Sequence, residues 1–426
     1  MINVEVDRAS SSPSAPARTR LSAAEASARL GIKRETLYAY VSRGLLTRER
    51  ASGVRGSTFD PVEVDRLAGR GRVPDRSGRE VRIESAVTTI EGGRYYYRGR
   101  DPIALARKHT FEQVAEFLWT GELAKPPPWR PDPAGVTLGR AVQCVLPART
   151  LAFDRVRVVV AALAGTDPFR HDLRREAVAG AARRLLATLV ECLPRRRGGG
   201  REERRREPAS FASRVWDRVS ARPAAGRQLE ALDGALVLLA DHELAASTFA
   251  VRIAAAFRAD PYGALGAGLG VLGGARHGAV SVAAEALLAE IEDAGDVAPV
   301  IDRYLRGGEK LPGIGHAIYP EGDPRARALL VLVREAARDA KRLGEVEAFL
   351  EAASKRGLPA PNVDLGIAAL THAFRLPRGT GELLFALARM SGWIAHAIEE
   401  YEQPSELRPR AVYTGSRPDP SRQRTS

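Results

Sequence analysis

From Leu21 the apolar positions of LSAAEASARLGI recur every three to four residues, which predicts a helix ended by Gly31. Ser22 and Glu25 form an S-x-x-E capping box at its start, each side chain satisfying a free N–H of the first turn. KRETLYAYVSRGLL predicts a second short helix that stops at Gly44. ERASGVRGSTF follows as a Gly-rich hairpin or wing, then a short helix after Asp60-Pro61. DRLAGRGRVPDRSGRE reads as a linker. Beyond residue 80, helical periodicity and Gly/Pro breaks dominate, and strand signals are confined to Val81–Ile90 and Arg94–Tyr97. The AKPPPWRPDPAG stretch (124–135) reads as a loop, because proline cannot continue a helix. The pattern describes a mostly α protein with no internal repeat.

The 426 residues are 44% hydrophobic and 27% charged, which excludes collagen-like, wholly disordered and disulfide-scaffold classes and allows two to three domains. The longest uncharged apolar stretch, Pro261–Ala275, is Gly-rich and shorter than the ~20 residues a membrane span requires. Residues 1–20 are rich in Ser, Pro, Ala and Arg, read as a disordered tail, and lack a basic-then-apolar leader. Cys144 and Cys192 offer neither a disulfide framework nor metal-ligand spacing. Together these features lead us to expect a cytoplasmic protein with no membrane contact.

The net charge of +13 is carried by 65 basic residues, of which only six are lysine; that imbalance points to compositional bias. The excess is local. Residues 1–75 carry 13 basic and 9 acidic groups, and the low-complexity insertion at 194–208 adds a second basic cluster. A basic patch is compatible with nucleic acid without establishing it.

The two N-terminal helices and their tight turn have a helix-turn-helix signature, in which the second helix enters the major groove. That helix offers Lys33, Arg34, Thr36, Tyr38 and Arg43. About 50 residues here resemble the winged helix-turn-helix of MerR and excisionase proteins. The alternative is a small helical domain that docks on its own enzyme or on a partner.

Among seven histidines, His242 (DHELAAST), His277 (GGARHGA) and His316 (LPGIGHAIYPEGDPR) stand in unusual settings, 35 and 39 residues apart. No metal-type pairing links them. His277 precedes a helical run and would sit near a helix N-terminus, where a neutral imidazole can donate to an oxygen gaining negative charge. Asp364 opens the helical run after PNV, as a helix cap or as a functional carboxylate. Arg389 lies in the very apolar LLFALARMSGWIAHAI and must be paired or bind an anion. His109, His171, His372 and His396 read as ordinary core or surface residues.

With DHELAAST, GGARHG, PGIGHAIYPEGDPRA, PNVD, LFALARMSGWIAH and RPRAVYTG in order, residues 80–416 resemble citrate synthases. The resemblance implies an all-α, dimeric fold with large and small domains, here following the helix-turn-helix unit. The expected boundaries are a tail at 1–20, the helix-turn-helix at 21–72, a linker at 73–79, a large domain at 80–275 and 376–416, a small domain at 276–375, and a tail at 417–426. It implies condensation of acetyl-CoA with oxaloacetate to citrate and CoA, with no permanently bound cofactor and no metal. Asp364 matches the base that deprotonates the acetyl methyl, His277 the histidine that stabilises the enol, and His316 the one that polarises the ketone. His242, Arg325, Arg389 and Arg408 match residues that hold the dicarboxylate, Arg408 reaching the partner's site in a homodimer. Loop residues Leu311, Pro312, Gly313, Ile314 and Gly315 match the coenzyme A contact. Departures surround His277: the usual H-G-G-A-N-E becomes HGAVSV, Arg276 adds a cation, and Ala245 replaces a common Asn. These leave propionyl-CoA as an alternative substrate. The N-terminal unit leaves a DNA-binding regulator, with the enzyme-like body as metabolite sensor, as an alternative function.

Overall fold

A computed structural model describes residues 20–30, 34–42, 46–50, 57–61, 63–64, 83–196, 210–274, 279–403 and 407. The expected tails apart from Arg20, together with the linker at 73–79 and most of the Arg-rich insertion, lie outside the described residues. The chain forms two compact units, 1–84 and 85–426.

In the first unit, strand Leu21–Ser22 and strand Arg48–Arg50 flank the central strand Ser57–Phe59, all antiparallel. Helices Ala23–Leu30 and Arg34–Ser42 pack with it on a core of Ala23, Ala26, Leu37, Leu46, Phe59 and Val64. The capping box forms: Glu25 Oε2 accepts the Ser22 N–H at 2.8 Å, and Ser22 Oγ accepts the Glu25 N–H at 3.3 Å. Leu21 was expected inside the helix, but Leu21 and Ser22 pair with Phe59 and Thr58 as a strand.

Among its described residues, the second unit has helices and one hairpin, Thr88–Glu91/Arg94–Tyr97. Helix Pro133–Cys144 starts inside the stretch expected as loop. Pro133 occupies the first turn, where its missing N–H costs nothing, and Asp132 caps Ala134 and Gly135. The 23-residue helix Thr380–Glu402 is buried on nearly every side, as its all-round apolar sequence requires. It packs on helices Ala246–Ala256, Pro261–Leu272 and Gln228–Leu239. Gly392 permits the close approach: a Cβ there would lie 2.3 Å from Asp241 Oδ1 and 2.4 Å from the Ala240 carbonyl. A second core, including Leu287, Ile301, Phe349 and Leu365, is built from residues between Ala284 and Ala369. It joins helices Ala279–Ala294, Val297–Arg306, Ala340–Lys355 and Val363–Ala373.

Arg252 is fully buried within this frame. It ion-pairs with Glu399 at 2.7 Å and Glu400 at 2.5 Å, and its Nη1 donates to His396 Nδ1 at 3.0 Å. His396 Nε2 then donates to Asp241 Oδ2 at 3.3 Å. Among the described residues no helix is long and apolar enough to cross a membrane.

Candidate active site

The site begins where helix Gln228–Leu239 ends. Tyr97 Oη accepts the Asp241 N–H at 3.0 Å and lies 3.1 Å from the Val237 carbonyl, while Tyr95 Oη donates to Leu238. The hairpin thereby occupies polar groups that the helix end leaves free. His242 follows directly, and Glu243 has φ +52°, a left-handed conformation uncommon outside glycine. His242 Nε2 lies 2.8 Å from Tyr319 Oη. Burial, reinforced by the Arg325 charge, pushes its pKa well below the usual histidine range, so the ring is neutral.

His316 packs beside both groups, its ring centre 5.9 Å from that of His242 and 5.0 Å from that of Tyr319. Its Nδ1 accepts the Ile318 N–H at 3.1 Å, and its Nε2 faces Arg325 Nη2 at 3.3 Å. A neutral imidazole carries one N–H, so only one of these donors can be accepted fully. Burial and then the Arg325 charge hold its pKa below the ordinary value.

Arg325 is fixed by a two-point pair with Asp323, at 3.0 Å through Nε and 2.8 Å through Nη2. Asp323 also caps helix Pro324–Ala336 and accepts the Val363 N–H at 3.0 Å. One carboxylate thus ties Arg325 to the start of the helix that carries Asp364.

Asp364 is not the cap of that helix. Asn362 is, its Oδ1 accepting the Asp364 N–H at 3.0 Å. The Asp364 carboxylate instead accepts Ser281 Oγ–H at 2.5 Å, from helix Ala279–Ala294. Burial raises its pKa above the usual carboxylate value, while the Ser281 hydrogen bond and then Arg325 pull the other way.

Loop 311–315 is stitched to the same helix start. Gly313 accepts the Asn362 N–H at 2.9 Å, Gly315 accepts Asn362 Nδ2 at 2.9 Å, and the Gly315 N–H donates to Ala360 at 2.8 Å. Gly313 has φ +78°, and a Cβ there would lie 2.7 Å from Leu365 Cβ.

Arg389 is fully buried in helix Thr380–Glu402. Its Nε donates to the Leu239 carbonyl at 3.0 Å and its guanidinium lies over Phe385, but its Nη2 has no protein acceptor. No carboxylate among the described residues ion-pairs with it. Its charge is felt at His242 and Asp364. An unneutralised buried guanidinium with a spare donor is suited to an anion.

The structure therefore brings together His242, His316 and Arg325, and links them through Asp323 to Asp364. His277 and Arg408 lie outside the described residues, as do Lys33 and Arg43. Arg34, Thr36 and Tyr38 are exposed on the second helix of the first unit. Sequence reasoning missed Ser281, Tyr319 and Asp323. Tyr319 and Asp323 stand inside the quoted PGIGHAIYPEGDPRA motif, whereas Ser281 occupies the Asn position of the departed HGAVSV motif. Glu292, Glu345 and His372 come close enough to hold a cation, but Arg342 pairs with Glu292, and His372 bonds Glu345.

Comparisons with known proteins match this geometry. A family model described as citrate synthase, C-terminal domain, matches residues 79–410. The chain is 31% identical over 364 residues to a citrate synthase of Haloferax volcanii, covering 78% of this chain and 93% of that protein. It is 29% identical over 354 residues to citrate synthase 2 of Bacillus subtilis, covering 79% and 94%. Among solved structures, the citrate synthase of Thermotoga maritima superposes with a TM-score of 0.63 at 26% identity, covering 81% of this chain and 97% of that one. The Thermoplasma acidophilum citrate synthase, solved as a ternary complex with carboxymethyl coenzyme A and oxaloacetate, superposes at 0.65 and 25% identity, covering 80% and 96%. The matched residues are those that carry the histidine–arginine cluster and Asp364, and the chain belongs to the citrate synthase family.

Proposed function

We propose that this protein is an active citrate synthase, condensing acetyl-CoA with oxaloacetate and water to give citrate and CoA. The observation that carries this reading is the Asp364 carboxylate: Asn362 takes the capping role, and Asp364 is left buried with a raised pKa and a single hydroxyl partner. A purely binding protein gains nothing from such a group, whereas proton removal from a thioester methyl needs one.

Asp364 abstracts the methyl proton, and His277 donates to the thioester oxygen as the enol forms. His316 gives its Nε2–H to the ketone oxygen of oxaloacetate; substrate there relieves the competing contact with Arg325. Arg325 and Arg389 grip the carboxylates with His242, and Arg408 joins them from the partner subunit. The enol carbon attacks the polarised ketone, forming the C–C bond of citryl-CoA, and water then cleaves the thioester to release CoA. Loop 311–315 holds the coenzyme A moiety through its backbone.

The separate core between Ala284 and Ala369 supports a small domain at 276–375, inserted in a large domain formed by 80–275 and 376–416. Exposed Val158, Phe257 and Val271 lie on or beside helices Ala152–Ala164, Ala246–Ala256 and Pro261–Leu272, the first two of which both pack on the third. Such an apolar face supports a homodimer.

The test is release of CoA thiol by the purified protein with oxaloacetate and either acetyl-CoA or propionyl-CoA, beside Asp364→Ala. Turnover that the variant loses supports the synthase, and the faster acyl donor decides between citrate and 2-methylcitrate. Absent turnover with both donors refutes the reading.

The first unit supports a second activity. Two helices, a three-stranded sheet and exposed Arg34, Thr36 and Tyr38 suit a winged helix-turn-helix at 21–72 that contacts DNA. A gel shift of the full-length chain that weakens with salt, and in Arg34→Glu, supports it; no shift at low salt refutes it.

A further inference from the structure

The chemistry above leaves one group of cations unused. Arg140 and Arg195 line a cavity of about 420 Å³. Arg149, Arg196 and Arg378 line an adjoining one of about 530 Å³, and Arg155 and Arg218 line both. Among the described residues, no carboxylate lines either cavity. Among the described residues, the one carboxylate ion-paired with any of these arginines is Glu191, on Arg218.

Two of the cations are built into the protein. Arg155 is buried against the carbonyls of Gln143, Pro147, Ala148 and Thr150, none of which neutralises it. Arg218 is 6% exposed; its Nη1 donates to Leu193, while its Nε is buried without an acceptor. Holding the Arg155 guanidinium away from water with no counter-charge is costly, and the cost is offset when an anion completes the set. Several arginine forks facing two adjoining open cavities match the oxygens of phosphate groups. The volume suits a small molecule rather than a polymer.

The cavity also has a place in the working of the fold. Pro377, Gly379, Thr380 and Leu383 form part of its wall, at the start of the helix that carries Arg389. The Gly379 and Gly381 N–H groups donate to Glu285, which belongs to the same helix as Ser281. None of the lining residues is His242, His316, Arg325, Asp364, Arg389 or part of loop 311–315.

We propose that this arginine-lined cavity is a binding site for a small phosphate-bearing polyanion, separate from the substrate site and in contact with the start of the Arg389 helix. The ligand chemistry is that of a di- or triphosphate, free or as the phosphate chain of a nucleotide.

The test is calorimetric titration of the full-length protein with pyrophosphate, tripolyphosphate and ATP, each with and without saturating CoA. The paired substitution Arg149→Gln and Arg196→Gln removes two exposed cations and leaves the buried ones, so the fold is kept. The expected result is one equivalent bound per chain, insensitive to CoA, and weakened about tenfold or more in the double variant. Equal affinity for ATP and tripolyphosphate identifies the phosphate chain as the ligand; tighter ATP identifies a nucleotide. Absence of saturable binding, unchanged affinity in the variant, or loss of binding under saturating CoA overturns the proposal. The last result would mean that the cavity takes the phosphates of the acyl-CoA itself.

Discussion

Replacing Ser281 with alanine tests the link between structure and chemistry most directly. Ser281 Oγ donates to Asp364 Oδ1 at 2.5 Å and stabilises the ionised carboxylate. A hydrogen bond to a charged group contributes about 1.5–3 kcal/mol. At 1.36 kcal/mol for each pKa unit, its loss raises the Asp364 pKa by about 1–2 units. The sign follows from which form the hydroxyl favours. Removing it favours the protonated acid, so the base-active fraction appears only at higher pH. Burial, which already raises this pKa, is unchanged by the substitution. The assay is kcat/KM against pH, read by CoA thiol release. The acid limb should move upward by about 1–2 pH units, with activity at higher pH largely recovered. An acid limb that stays in place while the variant remains folded refutes the assignment of Asp364 as the titrating base.

The remaining predictions concern buried charge and backbone conformation. Arg389→Met removes a buried cation without an ion-pair partner, so the ligand-free protein should gain about 1–2 kcal/mol in denaturant unfolding, and oxaloacetate should no longer raise Tm. Lower stability together with a retained oxaloacetate shift would contradict the anion role. Arg252→Met removes the buried cation that Glu399 and Glu400 share and should cost about 3–5 kcal/mol, read from the urea midpoint. A loss below 1 kcal/mol would show the network to be dispensable. Gly313→Ala forces a Cβ onto Leu365 at positive φ and should cost about 1–2 kcal/mol while raising KM for the acyl-CoA more than for oxaloacetate. Equal KM changes would detach the loop from coenzyme A.

Much of the fold was readable from local pattern. The hairpin at Arg94–Tyr97, the capping box at Ser22 and Glu25, and the apolar helix around Arg389 follow from periodicity and capping chemistry within a few residues. The two misplaced boundaries have causes that pattern alone does not rank. Pro133 is compatible with loop and with a helical first turn, and Asp132 decides for the helix by capping it. Leu21 has a helical neighbourhood, and pairing with Phe59, 38 positions away, decides for a strand.

The site divides in the same way. The candidates were legible in the chain itself: His242, His316, Arg325, Asp364 and Arg389 stand in motifs whose residue types suit proton transfer and carboxylate binding. The sequence also left Arg389 either paired or bound to an anion, because charge in an apolar helix has few other fates. Whether Asp364 caps its helix or serves as a free carboxylate was left open, since both readings share one sequence. Tertiary structure decided it by placing Asn362 at the cap and Ser281, 83 positions away, on the carboxylate. It likewise joined Asp323 to Val363 and gathered arginines from five chain segments around two adjoining cavities. Periodicity and capping act over a few residues along the chain. Hydrogen bonds between distant segments, desolvation and the field of neighbouring charges depend on distances that exist only once the chain has folded.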